Sequence, residues 1–300
     1  MTGSGGGKRL LVLAIAFLLQ VAFASAAPVQ EGCVPRKRAE LPVQLRDGFA
    51  FVPASIGSMP VTLLLDTGAQ GMLLTPSIVE ALRLPVDPYA GTRMLGTGGV
   101  RNAPNVMLRG LRIGDVPMAD GSVPVAALPG VPRTEPPLAG LLGGQFLGTY
   151  DLDLDVPHGR MAFYDAFGCA VPPILLPYSI LPLSVSRDGD VFVTIQINGE
   201  DLLALVDTGS RASIITEQAA ERLGLGGSGS ANFARGVDGS TLPIRHLRVR
   251  RMQVGTEVIA DAPISVSPLQ LGRGDMLLGL DYLSRHRVWI SYRSGRVLIQ

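Results

Sequence analysis

Apolar and polar side chains alternate over residues 49–56 and again over residues 191–197, the period-two signature of strands with one buried face. Gly57-Ser58 follows the first run and Asn198-Gly199 the second, which predicts a hairpin turn after each. The return strands, Leu63-Leu64-Leu65 and Ala204-Leu205-Val206, are apolar without interruption and run straight into Asp-Thr-Gly. Thr75-Pro76 and Thr216-Glu217 then read as helix starts, with Thr as N-cap, leading short helices towards Leu84 and Leu225. With 37 Gly, 23 Pro and 5% aromatic residues, the chain suits many short strands joined by tight turns rather than a helical bundle.

These parallels follow one rule: adding 141 to a residue number in the first half lands on its counterpart in the second. Arg46-Asp47-Gly48 maps to Arg187-Asp188-Gly189, Asp66-Thr67-Gly68 to Asp207-Thr208-Gly209, and Gly114 to Gly255. The register breaks only at a Pro-rich insertion between Pro129 and Pro137, predicted as a surface loop, after which Leu141-Leu142-Gly143 answers Leu277-Leu278-Gly279. Residues 27–169 therefore form one lobe and residues 183–300 a second. Residues 170–182, with Pro172, Pro173, Pro177 and Pro182, are expected to connect them without regular structure.

An Asp at the end of a buried strand is costly unless hydrogen bonds or a shared proton satisfy it. Two at equivalent repeat positions would face each other if the copies pack about a pseudo-two-fold axis, bringing Asp66 beside Asp207. Such a pair shares one proton, so that one carboxylate activates a water and the other polarises a carbonyl, the arrangement for which aspartic proteases are a standard worked case.

On Leu65 to Ala69, Val206 to Ser210 and the two Leu-Leu-Gly elements, the chain resembles the retropepsin-like aspartic proteases, specifically bacterial exported proteins with two such units fused. The resemblance implies a mainly β fold: two closed β-barrel lobes related by a pseudo-two-fold, with one or two short helices each. It implies an aspartic-type endopeptidase with Asp66 and Asp207 as the catalytic pair, Thr67 and Thr208 interlocking beneath them, and Gly68 and Gly209 allowing close backbone approach. Flaps are expected at Gly96-Thr97-Gly98-Gly99 and Gly236-Val237-Asp238-Gly239, without the aromatic tip residue of pepsin-like enzymes. The family often continues Leu-Leu-Gly with Arg and then Asp or Asn. Here Gly144-Gln145 and Leu280-Asp281 stand instead, and both segments are expected to be short helices packing the core. The implied partner is a polypeptide substrate, with no cofactor. A peptide-binding pseudo-protease and a homodimer with sites between chains are the alternatives to a monomeric enzyme.

Hydrophobic residues at 47% and charged residues at 17% exclude wholesale disorder, and a formal charge of +1 leaves no surplus for gripping nucleic acid. Lys8 and Arg9 precede an apolar run over residues 10–24, and Ala24-Ser25-Ala26 offers a cleavage site. Residues 1–26 thus read as a signal peptide, too short in its apolar run for a stable membrane anchor. The expected location is outside the cytoplasm, periplasmic in a Gram-negative cell and otherwise secreted. In an oxidising compartment, Cys33 and Cys169 are a candidate disulfide. His158, His246 and His286 lack metal-ligand spacing and are expected at surfaces or interfaces, and no metal site is predicted. Asp151, Asp153 and Asp155 alternate with leucines, which predicts a strand with an acidic outer face; Trp289 is expected in the core.

Overall fold

The computed structural model describes residues 35–96, 99–165, 177–186, 189–226, 231–235 and 240–300, together with Met1. The signal-peptide reading, both cysteines, Thr97, Gly98 and residues 236–239 lie outside the described residues. The fold is mainly β, with short helices at Pro76–Leu82, Gly144–Leu147, Glu217–Arg222 and Leu280–Leu283. Both Leu-Leu-Gly elements lead into helices, as the sequence implies.

In the second lobe, strands Val191–Ile197, Glu200–Val206, Met276–Leu278, Ile214–Thr216, Glu257–Ser267 and Thr241–Val254 pair in that order. Pairing of Gln196 with Gln253 and of Ile197 with Met252 closes them into a six-stranded barrel. The first lobe is an open half-barrel. Its counterpart of the 14-residue strand Thr241–Val254 is cut into Gly99–Leu108 and Leu111–Ile113. The cut falls at Gly110, whose φ of 67° leaves the extended region, where the second copy has Arg251 in unbroken strand. Gly99–Leu108 pairs with Val86–Gly96 and Gly121–Pro124, as its second-lobe counterpart pairs with Ala231–Arg235 and Glu257–Ser267, but here these strands meet the lobe's other sheet through the bridge between Leu74 and Val125, where the second lobe has a three-residue ladder. Two closed barrels were expected; the break at Gly110 and the shortening of that ladder to one bridge open the first.

The lobes share a six-stranded sheet. Lys37–Pro42, Arg160–Asp165 and Tyr150–Asp155 come from the first copy, and Arg287–Ser291, Arg296–Ile299 and Ser179–Val185 from the second. The two halves meet where Tyr150–Asp155 pairs antiparallel with Arg287–Ser291, so the pseudo-two-fold axis passes between those strands. Ser179–Val185 begins inside the Pro-rich stretch expected to be irregular; Pro182 is accommodated opposite Arg296 next to the switch from one strand partner to another.

The acidic outer face expected on residues 151–155 is not solvated. Asp151, Asp153 and Asp155 are all buried, because this strand is central in the shared sheet. Cations from neighbouring strands answer two of them: Arg287 Nε donates to Asp153 at 2.7 Å, and Arg160 Nε to Asp155 at 2.8 Å. Asp151 keeps one oxygen without a partner, and burial pushes its carboxyl up to about 6. Leu152 and Leu154, on the opposite face, join the main core, and Trp289 is fully buried.

Candidate active site

Each Asp-Thr-Gly sits where a buried strand ends beside its Leu-Leu-Gly strand. Met59–Leu65 runs parallel to Leu138–Leu142, and Asp66 N donates to Leu142 O at 3.1 Å. Glu200–Val206 pairs in the same way with Met276–Leu278, and Asp207 N donates to Leu278 O at 3.0 Å. The short helices then tie down the loops that follow the motifs: Gly144 N donates to Ala69 O, and Leu280 N to Ser210 O. In the second lobe Asp281 adds a side-chain anchor, accepting from Ser213 Oγ at 2.7 Å, while that hydroxyl accepts from Gly279 N. Met72 and Gln145 hold the corresponding places in the first lobe, so this anchor is one-sided.

Beneath the carboxylates the lobes are bolted together reciprocally. Thr67 N donates to Thr208 Oγ1 and Thr208 N to Thr67 Oγ1, each at 3.0 Å. The Thr67 hydroxyl in turn donates to Val206 O at 2.7 Å and the Thr208 hydroxyl to Leu65 O at 2.8 Å. All four bonds cross between lobes and both threonines are buried, which fixes the relative position of Asp66 and Asp207.

The two carboxylates face each other across this junction. Asp66 Oδ1 accepts from Gly68 N and Ala69 N at 3.1 and 2.9 Å; Asp207 Oδ1 accepts from Gly209 N and Ser210 N at 2.8 and 3.1 Å. Ala69 and Ser210 act through backbone, so their side-chain identities gave no sequence signal for this role. A Cβ added to Gly68 would lie 2.6 and 2.9 Å from the carboxylate oxygens of Asp207. One added to Gly209 would lie 2.5 and 2.6 Å from those of Asp66. Each glycine therefore makes room for the opposite lobe's carboxylate. Gly209→Ala is expected to push the pair apart, cutting any hydrolysis by about 100-fold and lowering stability by roughly 1–3 kcal/mol; cleavage rates and thermal melts measure the two effects.

Burial pushes Asp66 up to about 6 even though two backbone N–H groups favour its charged form. Asp207 is raised well above the ordinary carboxylate range, by burial first and by the adjacent Asp66 charge second. One proton shared between the pair is the state that these shifts favour.

Small apolar clusters flank the pair on both sides. Phe49, Phe51, Leu64, Leu73 and Leu141 pack together in the first lobe, and Phe192, Leu205, Ile214 and Leu277 in the second. Gly96 and Gly99 pair at the end of the first lobe's long hairpin, where a flap was expected, and Met94 of that hairpin packs on the first cluster. Strands Ala231–Arg235 and Thr241–Val254 form the corresponding hairpin in the second lobe. The histidines lie away from the carboxylates: His158 is on Asp155, His246 on Ser265, and His286 stacks on Tyr282 while contacting Glu257. Among the described residues no three His, Cys, Asp or Glu side chains gather as a metal site.

Family comparison agrees with this geometry in both halves. Residues 52–146 match the model described as "Aspartyl protease", and residues 193–285 match "gag-polyprotein putative aspartyl protease". Each half of the chain thus carries a segment that matches an aspartyl protease model. One curated relative, "DNA damage-inducible protein 1" of Yarrowia lipolytica, is 31% identical over 116 residues, which cover 38% of this chain and 28% of that protein. The chain thus matches only about a quarter of that relative's length. Among solved structures, Basic 7S globulin from soybean shares the fold at 14% identity, with a TM-score of 0.50 over 89% of this chain and 95% of its own. A retropepsin-like aspartic protease from Rickettsia conorii is 18% identical, with a TM-score of 0.33, and covers 41% of this chain and 98% of its own.

Proposed function

We propose that the protein is an aspartic endopeptidase whose single site is built by Asp66 and Asp207 in the cleft between the two lobes. The observation that carries this reading is the facing, buried carboxylate pair, each half held by its own lobe and admitted by a glycine of the other. In the singly protonated pair, the ionised carboxylate removes a proton from water as the water oxygen attacks the peptide carbonyl carbon. The protonated partner donates to the carbonyl oxygen. Collapse of the tetrahedral intermediate breaks the C–N bond as a proton passes to the amine, and no covalent enzyme intermediate forms. The long hairpin that pairs Gly96 with Gly99 would close over the extended substrate and exclude water.

Both halves of this site belong to one chain, which favours a monomeric enzyme over sites shared between chains. We also place the mature protein outside the cytoplasm, on the strength of Lys8, Arg9, the apolar run after them and the Ala24-Ser25-Ala26 cleavage signal. Cys33 and Cys169 would then meet conditions that allow them to pair.

Digestion of a peptide library by the purified chain, read by mass spectrometry, tests the activity: internal cleavage is expected, and intact peptides at high enzyme concentration would refute it. The pH profile carries its own prediction. Protonation of both carboxylates removes the base, so the rate should fall as pH drops below about 6, where Asp66 takes up its proton. It should fall again at higher pH, when Asp207 loses the shared proton. A rate still rising well below that lower limb would contradict the assignment.

A further inference from the structure

The two ends of the cleft differ in charge. Arg211 directly follows the Asp207–Ser210 turn but reaches across to the first lobe. Its side-chain carbons lie 3.2 Å from the position of a Cβ on Gly48, and its guanidinium carbon sits 5.3 Å from the centre of the Phe49 ring. Phe49 belongs to the apolar cluster containing Leu64, two residues before Asp66. Arg46 stands opposite Phe49 in the antiparallel ladder, which puts both side chains on the same face. Arg46 donates to the carbonyl of Arg133. Among the described residues, neither Arg46 nor Arg211 forms an ion pair, although Asp47 is close in the chain. Arg211 is exposed, with its guanidinium plane pre-organised on an aromatic ring.

The repeat shows what the other end holds. Arg211 maps to Gln70 and Phe49 maps to Asp190, so an unpaired cation on an aromatic ring at one end becomes an amide and an acid at the other. At that end Arg273 donates to Ser184 Oγ at 2.9 Å and lies over Phe192, two residues from Asp190; Arg187, the counterpart of Arg46, lies outside the described residues. An extended peptide crossing the pseudo-two-fold axis would thus meet Arg211 and Arg46 on one side of its scissile bond and, among the described residues, a cation beside an acid, Arg273 and Asp190, on the other.

We propose that Arg211, assisted by Arg46, forms a subsite for an acidic side chain of the substrate, on one side only of the bond to be cleaved. This deepens the endopeptidase reading and rests on it: the substrate class is a polypeptide with apolar residues at the scissile bond and Asp or Glu a short distance to one side. A carboxylate there receives charge-assisted hydrogen bonds from a guanidinium already held in place.

The test separates recognition from hydrolysis. Octapeptides with an apolar centre carry Glu or Gln at each outer position in turn. One set has an ordinary scissile amide, for cleavage assays. The other has a reduced amide, for binding measured by fluorescence anisotropy with the whole protein. The expected result is about 10-fold tighter binding of Glu over Gln at positions on a single side, shrinking as salt is raised. The ratio should fall to about one in Arg211→Gln and survive in part in Arg211→Lys. A ratio near one at every position of the parent chain, or a ratio unchanged by Arg211→Gln, would overturn the inference. Should Arg211→Gln fail to fold, a salt-independent ratio in the parent chain would overturn it equally. Cleavage without Glu discrimination removes the acidic subsite and leaves the endopeptidase standing; discrimination in binding without cleavage does the reverse. Binding of no peptide at all would remove both.

Discussion

Replacing Asp66 by Asn is expected to lower peptide-bond cleavage by about 10³-fold or more, and replacing Asp207 by Asn to do the same, because neither lobe holds a complete acid–base pair. The amide retains the shape of the carboxyl, and its oxygen still accepts from the N–H groups of residues 68 and 69, or 209 and 210. What it loses is the shared, titrating proton. The same substitutions should stabilise the fold at neutral pH. Both carboxyls have folded-state values raised above the ordinary 3.8, Asp66 to about 6 and Asp207 well above 3.8. The folded protein therefore binds more protons than the unfolded chain between those limits. The dyad's relative stability is complete below 3.8 and is lost as pH rises through about 6 and beyond. An Asn has no such loss. Asp66→Asn should melt above the parent at about pH 8, by roughly 2–3 kcal/mol of stability, with the gap closing towards pH 4. Melting curves at several pH values check this; a variant that is inactive and also less stable at about pH 8 would mean that it had simply damaged the fold.

Thr67→Val is expected to destabilise the protein by about 2–5 kcal/mol, a large effect for a change of nearly equal volume. Valine keeps the packing but leaves two buried groups without partners: the N–H of Thr208, which had donated to Thr67 Oγ1, and the carbonyl of Val206, which had accepted from it. Thr208→Val should cost a similar amount by the reciprocal losses at Thr67 N and Leu65 O. Thr67→Ser retains the hydroxyl and should recover most of the stability. Because these four bonds fix one lobe against the other, the double Val variant should lose cleavage even where circular dichroism shows that strands remain. Urea denaturation of the single variants, the double variant and the Ser control measures the coupling. Equal stability of Val and Ser at position 67 would remove this junction from the account.

Much of the architecture was legible because the repeat kept its register from residue 46 to residue 125. Strand periodicity, two buried Asp-Thr-Gly ends and two Leu-Leu-Gly elements together restrict the possible arrangements severely. Two of the misreadings share a cause: residues distant in sequence decide them. Asp151, Asp153 and Asp155 alternate with leucines as a half-exposed strand would. Only the arrival of Arg160 and Arg287 alongside makes burial of two of them tolerable. Thr75 and Thr216 look alike as helix caps, yet only Thr216 Oγ1 accepts from a backbone N–H of its helix, at Ala219 N. Thr75 Oγ1 instead donates to Leu138 O, on a strand that lies 63 residues away in the chain. Gly110 was a readable signal, a glycine in the middle of a strand pattern where the other copy has Arg251, and it marks where the first barrel opens. Arg211 was hidden differently, since its meaning lies in contrast with Gln70 and in an approach to Phe49 across the lobe boundary.

The central claim is one active site made jointly by two copies within a single chain. Its most direct test is a cleavage assay on four samples, with peptides that the parent chain cuts: the parent, each of Asp66→Asn and Asp207→Asn alone, and the two variants unfolded and refolded together in equal amounts. The account predicts cleavage by the parent only, since every refolded chain lacks half of its own dyad. Recovery of about a quarter or more of the parental rate in the mixed sample would show that intact carboxylates from different chains can meet, and would contradict it.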